Sequence, residues 1–255
     1  NLIRMSELTI GRRLGSGGFG LVHAAQWKHG DVAVKQIKPE LIAEGDVARA
    51  QKDFQAELEL LLRLQNRYIV QCYGGSCEKE FIMVTELMER GSLADCLRQH
   101  RDEFAWPSLG KKVLHDAAKG LLHLHELSHT HFDIKPLNVL VSSDNVGKLA
   151  DVGLARRMEH TVTSPAGCTF TYAAPEIKNG RKANEKSDIY SFGVMIWEVF
   201  TGRKPSRYDG CDVDAGWPVA ALLQGGDAAG HRGALAQEMD GRPSALQLND
   251  ELGKL

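Results

Sequence analysis

Hydrophobic and polar residues follow different patterns in the two parts of the chain. The first part contains short β-like apolar runs, and the second contains apolar positions that recur at helical spacing. The β-like runs are residues 8–14, 21–27, 32–35 and 81–88, and the helical patterns are residues 46–66, 113–125 and 187–200. Residues 189–200 are apolar nearly all round the helix, so we expect that helix in the middle of a domain. The pattern therefore predicts strands first and a helix-rich part afterwards.

A glycine-rich segment joins the first two runs. Its glycines are Gly15, Gly17, Gly18 and Gly20. The pattern G-x-G-x-x-G also serves dinucleotide-binding folds, where a helix follows the glycines. Here Leu21 and Val22 follow without a helical period, so we expect a hairpin whose backbone N–H groups can approach phosphates.

A short polar segment carries residues suited to phosphoryl transfer. Residues 131–138 read His-Phe-Asp-Ile-Lys-Pro-Leu-Asn, and Asp151 follows further along. Asp133 can accept a proton from an attacking hydroxyl, and Lys135 can neutralise charge on the moving phosphoryl group. Asn138 and Asp151 can supply the hard oxygen ligands that Mg²⁺ prefers.

These segments resemble the catalytic loop and metal-binding motif of the eukaryotic protein kinases. Runs at 91–93 and 188–193 are similar to the tyrosine-kinase-like group, which includes the Raf and mixed-lineage kinases. The resemblance covers residues 8–255. It implies an α+β, two-lobed kinase fold, with an N-lobe at 1–88 and a C-lobe at 89–255. It also implies ATP and Mg²⁺ as cofactors and a protein as the substrate.

Lys35 and Glu57 are expected to form the regulatory ion pair of the N-lobe. Lys35 ends an alternating strand about fifteen residues after the glycine segment, where the family has a lysine that binds nucleotide phosphates. Glu57 lies beside the apolar face of the next helical segment, whereas Glu59 is rotated by about 200° and should face water. The alternative is that Lys35 and Glu57 are ordinary surface residues.

By resemblance, the strand at 81–88 leads into the hinge between the lobes. Thr85 would be the gatekeeper, and its small size would leave the pocket behind the adenine open to bulky inhibitors. The Glu86 carbonyl and the Met88 amide would bond the adenine edge. The residues expected to sandwich the purine ring are Leu14, Val22, Ala33 and Leu140. These four apolar residues are also consistent with simple core packing.

Further motifs match the family's activation segment. Residues 174–176 read Ala-Pro-Glu, and we expect Glu176 to pair with Arg242. Thr169 sits where the family has a threonine that contacts the catalytic Asp and Lys. Asp188 resembles the buried aspartate that holds the catalytic-loop backbone, and a simple N-cap is the alternative reading. The Ala-Pro-Glu motif and Thr169 imply a peptide site and disfavour a small-molecule kinase.

Three features depart from the family pattern. Phe132 replaces an arginine that binds an activation-loop phosphate, so we expect loop phosphorylation to be dispensable for activity. Val152 replaces the Phe of the Asp-Phe-Gly motif and removes a ring from an expected hydrophobic stack between the lobes. The expected members of that stack are Cys72, Leu61, Val152 and His131. Residues 201–242 are rich in Gly and Ala, which indicates a trimmed or irregular substrate-docking region.

The resemblance implies transfer of the γ-phosphoryl group of Mg-ATP to Ser or Thr. Lys135, two residues after Asp133, is the serine/threonine pattern of the catalytic loop. The alternative is a pseudokinase that acts as a nucleotide-binding signalling scaffold, and Phe132 and Val152 favour it. Against this alternative, every residue that the transfer requires is present, whereas abandoned chemistry usually loses at least one.

Composition narrows the partners. The 255 residues with 43% hydrophobic content suffice for two lobes that bury a core. A net charge of −2 provides no general attraction to nucleic acid or to anionic membranes. A dimer of kinase domains and flanking domains both stay open.

Composition also bears on the compartment. The five cysteines form no C-x-x-C pair, which favours a reducing compartment, and no apolar run reaches the length of a membrane span. We therefore expect a cytoplasmic location. Because the chain begins at Asn1 without a Met, we expect an excised domain, which includes the intracellular domain of a larger protein.

Overall fold

The computed structural model describes residues 1–17, 20–37, 47–77, 81–152, 156–157, 171–205 and 242–254. The chain divides into two compact units, Asn1–Glu89 and Arg90–Leu255. Gly18, Thr169 and residues 206–241 lie outside the described residues. Within the described ranges, no helix is both long enough and apolar enough to cross a membrane.

The first unit is built on one antiparallel sheet. Its strands are β1 (Leu8–Gly17), β2 (Gly20–Trp27), β3 (Gly30–Gln36), β4 (Cys72–Ser76) and β5 (Ile82–Glu86), and its helix is α1 (Val47–Arg63). The strands lie in the order β1-β2-β3-β5-β4, and every neighbouring pair is antiparallel. The predicted strand at 81–88 is shorter in the structure, because it ends at Glu86.

The register of the strands gives the sheet two different faces. Val32, Val34 and Val84 point to one face, where they pack with Ile3 and Ile82 in a buried apolar cluster. The other face carries residues that alternate with these, since successive side chains of a strand point to opposite sides. This second face, called here the open face, carries Val22, Ala24, Ala33, Lys35, Cys72, Met83 and Thr85.

Helix α1 packs on the sheet through apolar residues at helical spacing. Phe54 and Leu61 are buried, and the Phe54 ring meets the Phe81 ring edge-on with 5.4 Å between centroids. The helix contacts strand β4. Burial of such a stripe stabilises the helix more than its own backbone propensity does.

The first residues of the chain cover the edge of the sheet at β4. The Ile3 N–H donates to the Gly75 carbonyl at 3.0 Å, and the Gly75 N–H donates to the Asn1 carbonyl at 3.1 Å. Ile3 itself is 1% exposed and belongs to the buried cluster. An uncovered edge strand would expose unpaired backbone groups, so this short pairing protects β4.

The second unit is mainly helical. Its helices are α2 (Leu93–Gln99), α3 (Arg101–Phe104), α4 (Leu109–Glu126), α5 (Pro175–Lys178), α6 (Glu185–Thr201) and α7 (Ala245–Lys254). Its short strands are β6 (His129–Thr130), β7 (Val139–Val141), β8 (Gly147–Leu149) and β9 (Arg156–Arg157), which pair as β6-β9 and β7-β8. An antiparallel sheet packed with helix α1 in the first unit and a mainly helical second unit confirm the predicted α+β class.

Helices α4 and α6 supply the centre of the second unit. Leu114, Leu121, Ile189 and Phe192 are fully buried in one cluster, as the apolar character of both segments predicted. The start of α6 was predicted wrongly, because the helix begins at Glu185 rather than at residue 187.

A capping residue at each end of α6 sets the bounds of the helix. The Asn184 side chain accepts the Lys186 N–H at 2.9 Å, so Asn184 is the N-cap. Asp188 therefore lies inside the helix, and the N-cap reading of Asp188 is wrong. Gly202 ends the helix in the left-handed region with φ 61°, where glycine meets little steric resistance.

Candidate active site

The open face of the sheet brings together several residues that the sequence assigned to a nucleotide. In the register, Lys35 lies between Val22 and Met83, and Ala33 lies opposite Thr85. All five side chains therefore belong to the same face. The small side chain of Ala33 leaves room over the centre of the sheet, while Lys35 places a cation beside it.

Gly20 and Gly15 differ in why the structure needs them. Gly20 has φ 147°, and a Cβ atom there would lie 2.0 Å from the Gln36 carbonyl oxygen. A side chain at Gly20 is therefore excluded by the fold itself. At Gly15, a Cβ atom would meet no described atom within 4 Å. The fold does not explain the missing side chain at Gly15, and this fits a segment that a phosphate approaches closely.

The glycine segment joins two antiparallel strands rather than a strand and a helix. Residues Gly17 and Gly20 pair with each other where β1 and β2 meet. This hairpin confirms the expected strand–glycine–strand context and is unlike the strand-to-helix turn of dinucleotide-binding folds.

Glu57 and Glu59 point in different directions from helix α1. Glu57 is partly buried, whereas Glu59 is exposed. The Cys72 thiol on the open face is close enough to Glu57 to feel its negative charge. The pKa of Cys72 is raised to about 11, mainly by burial and to a smaller extent by the nearby negative charge of Glu57. Glu57 therefore lies on the side of the helix that faces the strand carrying Cys72.

The hinge strand carries its own polar contacts. The Thr85 hydroxyl donates to the Glu86 carbonyl at 3.2 Å, and the Glu86 carboxylate accepts the Gln71 N–H at 2.7 Å. Met88 is 6% exposed. These bonds fix Thr85 and Glu86 before the chain enters the second unit.

The two remaining residues assigned to the purine ring lie in different units. Leu14 of β1 is 37% exposed. Leu140 of β7 is only partly buried, because its neighbours Val139 and Val141 point to the opposite side and fill the core. Neither of these apolar side chains is fully buried in the core of its own unit.

In the second unit, the catalytic-loop residues contact one another. The Lys135 ammonium donates to Asp133 Oδ2 at 2.5 Å. The Asn138 amide nitrogen donates to the same oxygen at 3.0 Å and to the Asp133 carbonyl at 2.8 Å. Asp133 is 5% exposed, so its side chain is buried and is held by two donors.

Asp188 fixes the backbone just before Asp133. Its carboxylate, which is fully buried, accepts the His131 N–H at 2.8 Å and the Phe132 N–H at 2.7 Å. The His125 Nε2 lies 2.9 Å from the same carboxylate. The expected role of Asp188 as the holder of the catalytic-loop backbone is therefore confirmed.

Asp151 is tied to the same loop through its neighbour Ala150. The Ala150 N–H donates to the Asn138 carbonyl at 2.9 Å, and the His131 Nε2 donates to the Ala150 carbonyl at 3.1 Å. Asp151 itself adopts a left-handed backbone with φ 58°, which is uncommon for a residue other than glycine. Strained backbone of this kind concentrates at functional sites.

The donor set fits a hard cation. The amide nitrogen of Asn138 donates to Asp133. The Oδ1 atom of the same amide therefore points away from Asp133. An amide oxygen and the Asp151 carboxylate are oxygen ligands of the kind that Mg²⁺ takes.

Glu176 and Arg242 form the predicted ion pair. Two hydrogen bonds of 2.7 and 2.8 Å join the guanidinium to the carboxylate, and the Ser187 hydroxyl donates to Glu176 at 2.5 Å. Burial alone would raise the pKa of Glu176, but the bonds from Arg242 and Ser187 outweigh it and lower that pKa below 4.5.

Sequence comparison places this arrangement in a known family. The sequence profile of the family described as protein tyrosine and serine/threonine kinase matches residues 8–217. The chain belongs to the protein tyrosine and serine/threonine kinase family. The match covers most of the first unit and residues 90–217 of the second, which include the catalytic-loop residues.

Curated relatives carry both serine/threonine and tyrosine names. A putative serine/threonine-protein kinase/receptor of Acanthamoeba polyphaga mimivirus is 37% identical over 80% of this chain and 12% of its own length. Serine/threonine-protein kinase STY46 of Arabidopsis thaliana is 32% identical over 81% of this chain and 35% of its own length. Tyrosine-protein kinase TXK of Mus musculus is 36% identical over 78% of this chain and 38% of its own length. The chain thus spans well under half of each of these relatives.

The sequence did not indicate two buried contacts of the kinase domain. The Tyr172 hydroxyl donates to the Glu198 carboxylate at 2.6 Å, and burial raises the pKa of both groups. Phe132 packs against Ala173, Ile177 and Ala183. The polar residue Glu198 within the apolar run of α6 was a signal for the first contact, because a buried carboxylate needs a partner.

Proposed function

We propose that this kinase domain transfers the γ-phosphoryl group of Mg-ATP to Ser and Thr hydroxyls of protein substrates. The observation that carries the proposal is the buried Asp133 carboxylate, held by Lys135 and Asn138. A carboxylate held in this way is oriented to accept a proton from a hydroxyl.

The roles follow from the chemistry of each side chain. Asp133 accepts the proton of the substrate hydroxyl while the hydroxyl oxygen bonds to the γ-phosphorus and the bond to the β-phosphate oxygen breaks, which releases ADP. Lys135 neutralises charge on the transferred group, and Thr169 would contact Asp133 and Lys135. Lys35, with Glu57 as its partner, binds the nucleotide phosphates, and the glycine segment covers them.

The remaining site residues hold the cofactors. Asn138 and Asp151 would hold Mg²⁺, which when bound supplies positive charge that offsets the developing negative charge on the phosphate oxygens. Leu14, Val22, Ala33 and Leu140 would sandwich the adenine, and the Glu86 carbonyl and the Met88 amide would bond its edge.

The substrate class rests on the catalytic loop. The Lys135–Asp133 ion pair supports Ser/Thr specificity, and the names of the mimivirus and Arabidopsis relatives agree with it. Tyrosine is the competing substrate class, because the mouse relative is named a tyrosine-protein kinase. A cytoplasmic location and a loop that needs no phosphorylation stay part of this proposal.

A pseudokinase scaffold is the second candidate. Val152, which stands where the family has Phe, is 1% exposed, so a small side chain fills a buried position. A smaller buried group weakens packing, and the hydrophobic stack proposed between the lobes would be less stable with valine in it. This would favour nucleotide binding without efficient transfer.

One experiment separates the two candidates. Phosphatase-treated wild type and Asp133→Asn are incubated with Mg-ATP and myelin basic protein, followed by phosphoamino-acid analysis and a thermal-shift assay. The kinase proposal expects phosphoserine or phosphothreonine from the wild type and none from the variant. No transfer from either protein, with a raised melting temperature in Mg-ATP, would favour the scaffold.

A further inference from the structure

The side chain of Phe132 connects the catalytic loop to the Ala-Pro-Glu segment. It is 5% exposed and belongs to a buried apolar cluster with Ala173, Ile177 and Ala183, called here the Phe132 cluster. Ala173 precedes Glu176 in the chain, whereas Ile177 of helix α5 and Ala183 follow it. Phe132 therefore makes its apolar contacts with a segment distant from it along the chain.

The backbone at Phe132 is fixed as firmly as its side chain. Its φ is 64°, in the left-handed region that aromatic residues rarely adopt, and its N–H donates to the buried Asp188 carboxylate at 2.7 Å. The next N–H, that of Asp133, donates to the His131 ring at 3.3 Å. The direction of the Phe132 ring is thus coupled to the placement of Asp133.

Polar contacts attach the Ala-Pro-Glu segment to other parts of the unit. Tyr172 bonds to Glu198 of helix α6, and Glu176 bonds to Arg242 and Ser187. These bonds tie the segment to α6 and to Arg242. The Phe132 cluster adds a link to the catalytic loop, and a substrate held by the segment must meet Asp133 of that loop.

We propose that Phe132 is a positioning residue that aligns the peptide-binding segment at 171–183 with the catalytic loop by apolar packing. This inference rests on the proposed function and names one feature of its substrate site. Packing of this kind requires no phosphate. The alignment therefore exists before any residue of the activation segment is phosphorylated.

A positioning role differs from a merely structural one in what it changes. A buried aromatic that only fills the core affects stability, whereas a positioning residue changes the local order of the segment and the KM for the protein substrate. The matched control is Phe104, a buried phenylalanine of helix α3 that lies in a different apolar cluster.

Hydrogen exchange tests the alignment without catalysis. The N–H groups of Lys178, Asn179, Gly180 and Arg181 are bonded within the segment and serve as reporters. We expect Phe132→Ala to accelerate their exchange about tenfold, with Phe132→Leu intermediate. Phe104→Leu should leave them unchanged. Equal protection in Phe132→Ala and wild type, or equal loss in Phe104→Leu, would overturn the proposal.

Steady-state kinetics test the consequence for the substrate. With phosphatase-treated enzymes, Phe132→Leu should raise the KM for myelin basic protein about fivefold, while the KM for ATP stays within about twofold of wild type. An equal rise of both KM values would contradict a positioning role. A wild type without transfer activity would defeat the proposed function alone, because the exchange experiment decides the alignment by itself.

Discussion

The open face of the sheet and the catalytic loop hold their residues by different means. On the open face of the sheet, Lys35, Ala33 and Thr85 share a side because backbone register puts them there. At the catalytic loop, Lys135 and Asn138 hold Asp133, and Asp188 of helix α6 holds the loop backbone, in both cases through hydrogen bonds between buried or partly buried polar groups. The backbone pairing of the strands persists when one side chain is replaced, whereas a network of buried polar side chains is disrupted by such a change. Substitutions in this buried polar network should therefore reduce the unfolding free energy more than most substitutions in the sheet.

The largest effect is expected from Asp188→Ala. This change leaves the N–H groups of His131 and Phe132 without their buried acceptor, and it removes the partner of His125. We expect a loss of about 4 kcal/mol of unfolding free energy, measured by urea denaturation. The control is Glu251→Ala, which removes a largely exposed ion pair with Lys254 and should leave the unfolding free energy close to that of wild type. Similar losses for the two variants would contradict the expectation that the buried network costs more to disrupt than an exposed ion pair.

The next effect concerns the buried ion pair of Glu176 and Arg242. Glu176→Gln removes the negative charge that faces the buried Arg242 guanidinium, so we expect a loss of about 3 kcal/mol of unfolding free energy near neutral pH. Because the fold lowers the pKa of Glu176, its contribution is complete above pH 4.5 and disappears as the pH falls through the lowered pKa.

Urea denaturation at a series of acidic pH values tests the direction of this pH dependence. The stability difference between wild type and Glu176→Gln should shrink as the pH falls below 4.5. A difference that grows in acid would show that the carboxylate is not stabilised in its ionised form.

A pair of glycine variants tests the sheet side of the comparison. Gly20→Ala forces a Cβ against the Gln36 carbonyl at a φ that alanine resists, so we expect a loss of about 2 kcal/mol by thermal denaturation. Gly15→Ala meets no described atom and should change stability by less than about 0.5 kcal/mol.

The two glycine variants also test the proposal that phosphates bind at the glycine segment. Gly15→Ala should nevertheless weaken Mg-ATP binding, as measured by isothermal titration calorimetry, because a methyl group would stand where phosphates approach. Unchanged affinity in Gly15→Ala would remove this glycine from the site.

Much of this arrangement could be predicted from the sequence, because several contacts are local. Asp133, Lys135 and Asn138 are close along the chain, so a tight turn brings them together. The partnership of Glu176 with Arg242 was reached only through the family resemblance. The roles of the residues proposed to bind ATP and Mg²⁺ stay predictions.

Other contacts could not be predicted for physical reasons. The start of α6 depended on the side chain of Asn184, which caps the helix in place of Asp188, the cap candidate in the sequence. The contact of Phe132 with Ile177 joins distant segments, and hydrophobic periodicity reports only which face of an element is apolar, not which partner covers it.

The central claim is that Asp133 serves the transfer step and not the binding of nucleotide. The most direct measurement is a single-turnover rate of phosphoryl transfer from Mg-ATP for wild type and Asp133→Asn, with the affinity for Mg-ATP determined on the same preparations. The account predicts an affinity within about threefold of wild type and a transfer rate lower by a factor of about 10² to 10⁴. Equal transfer rates in the two proteins would contradict it.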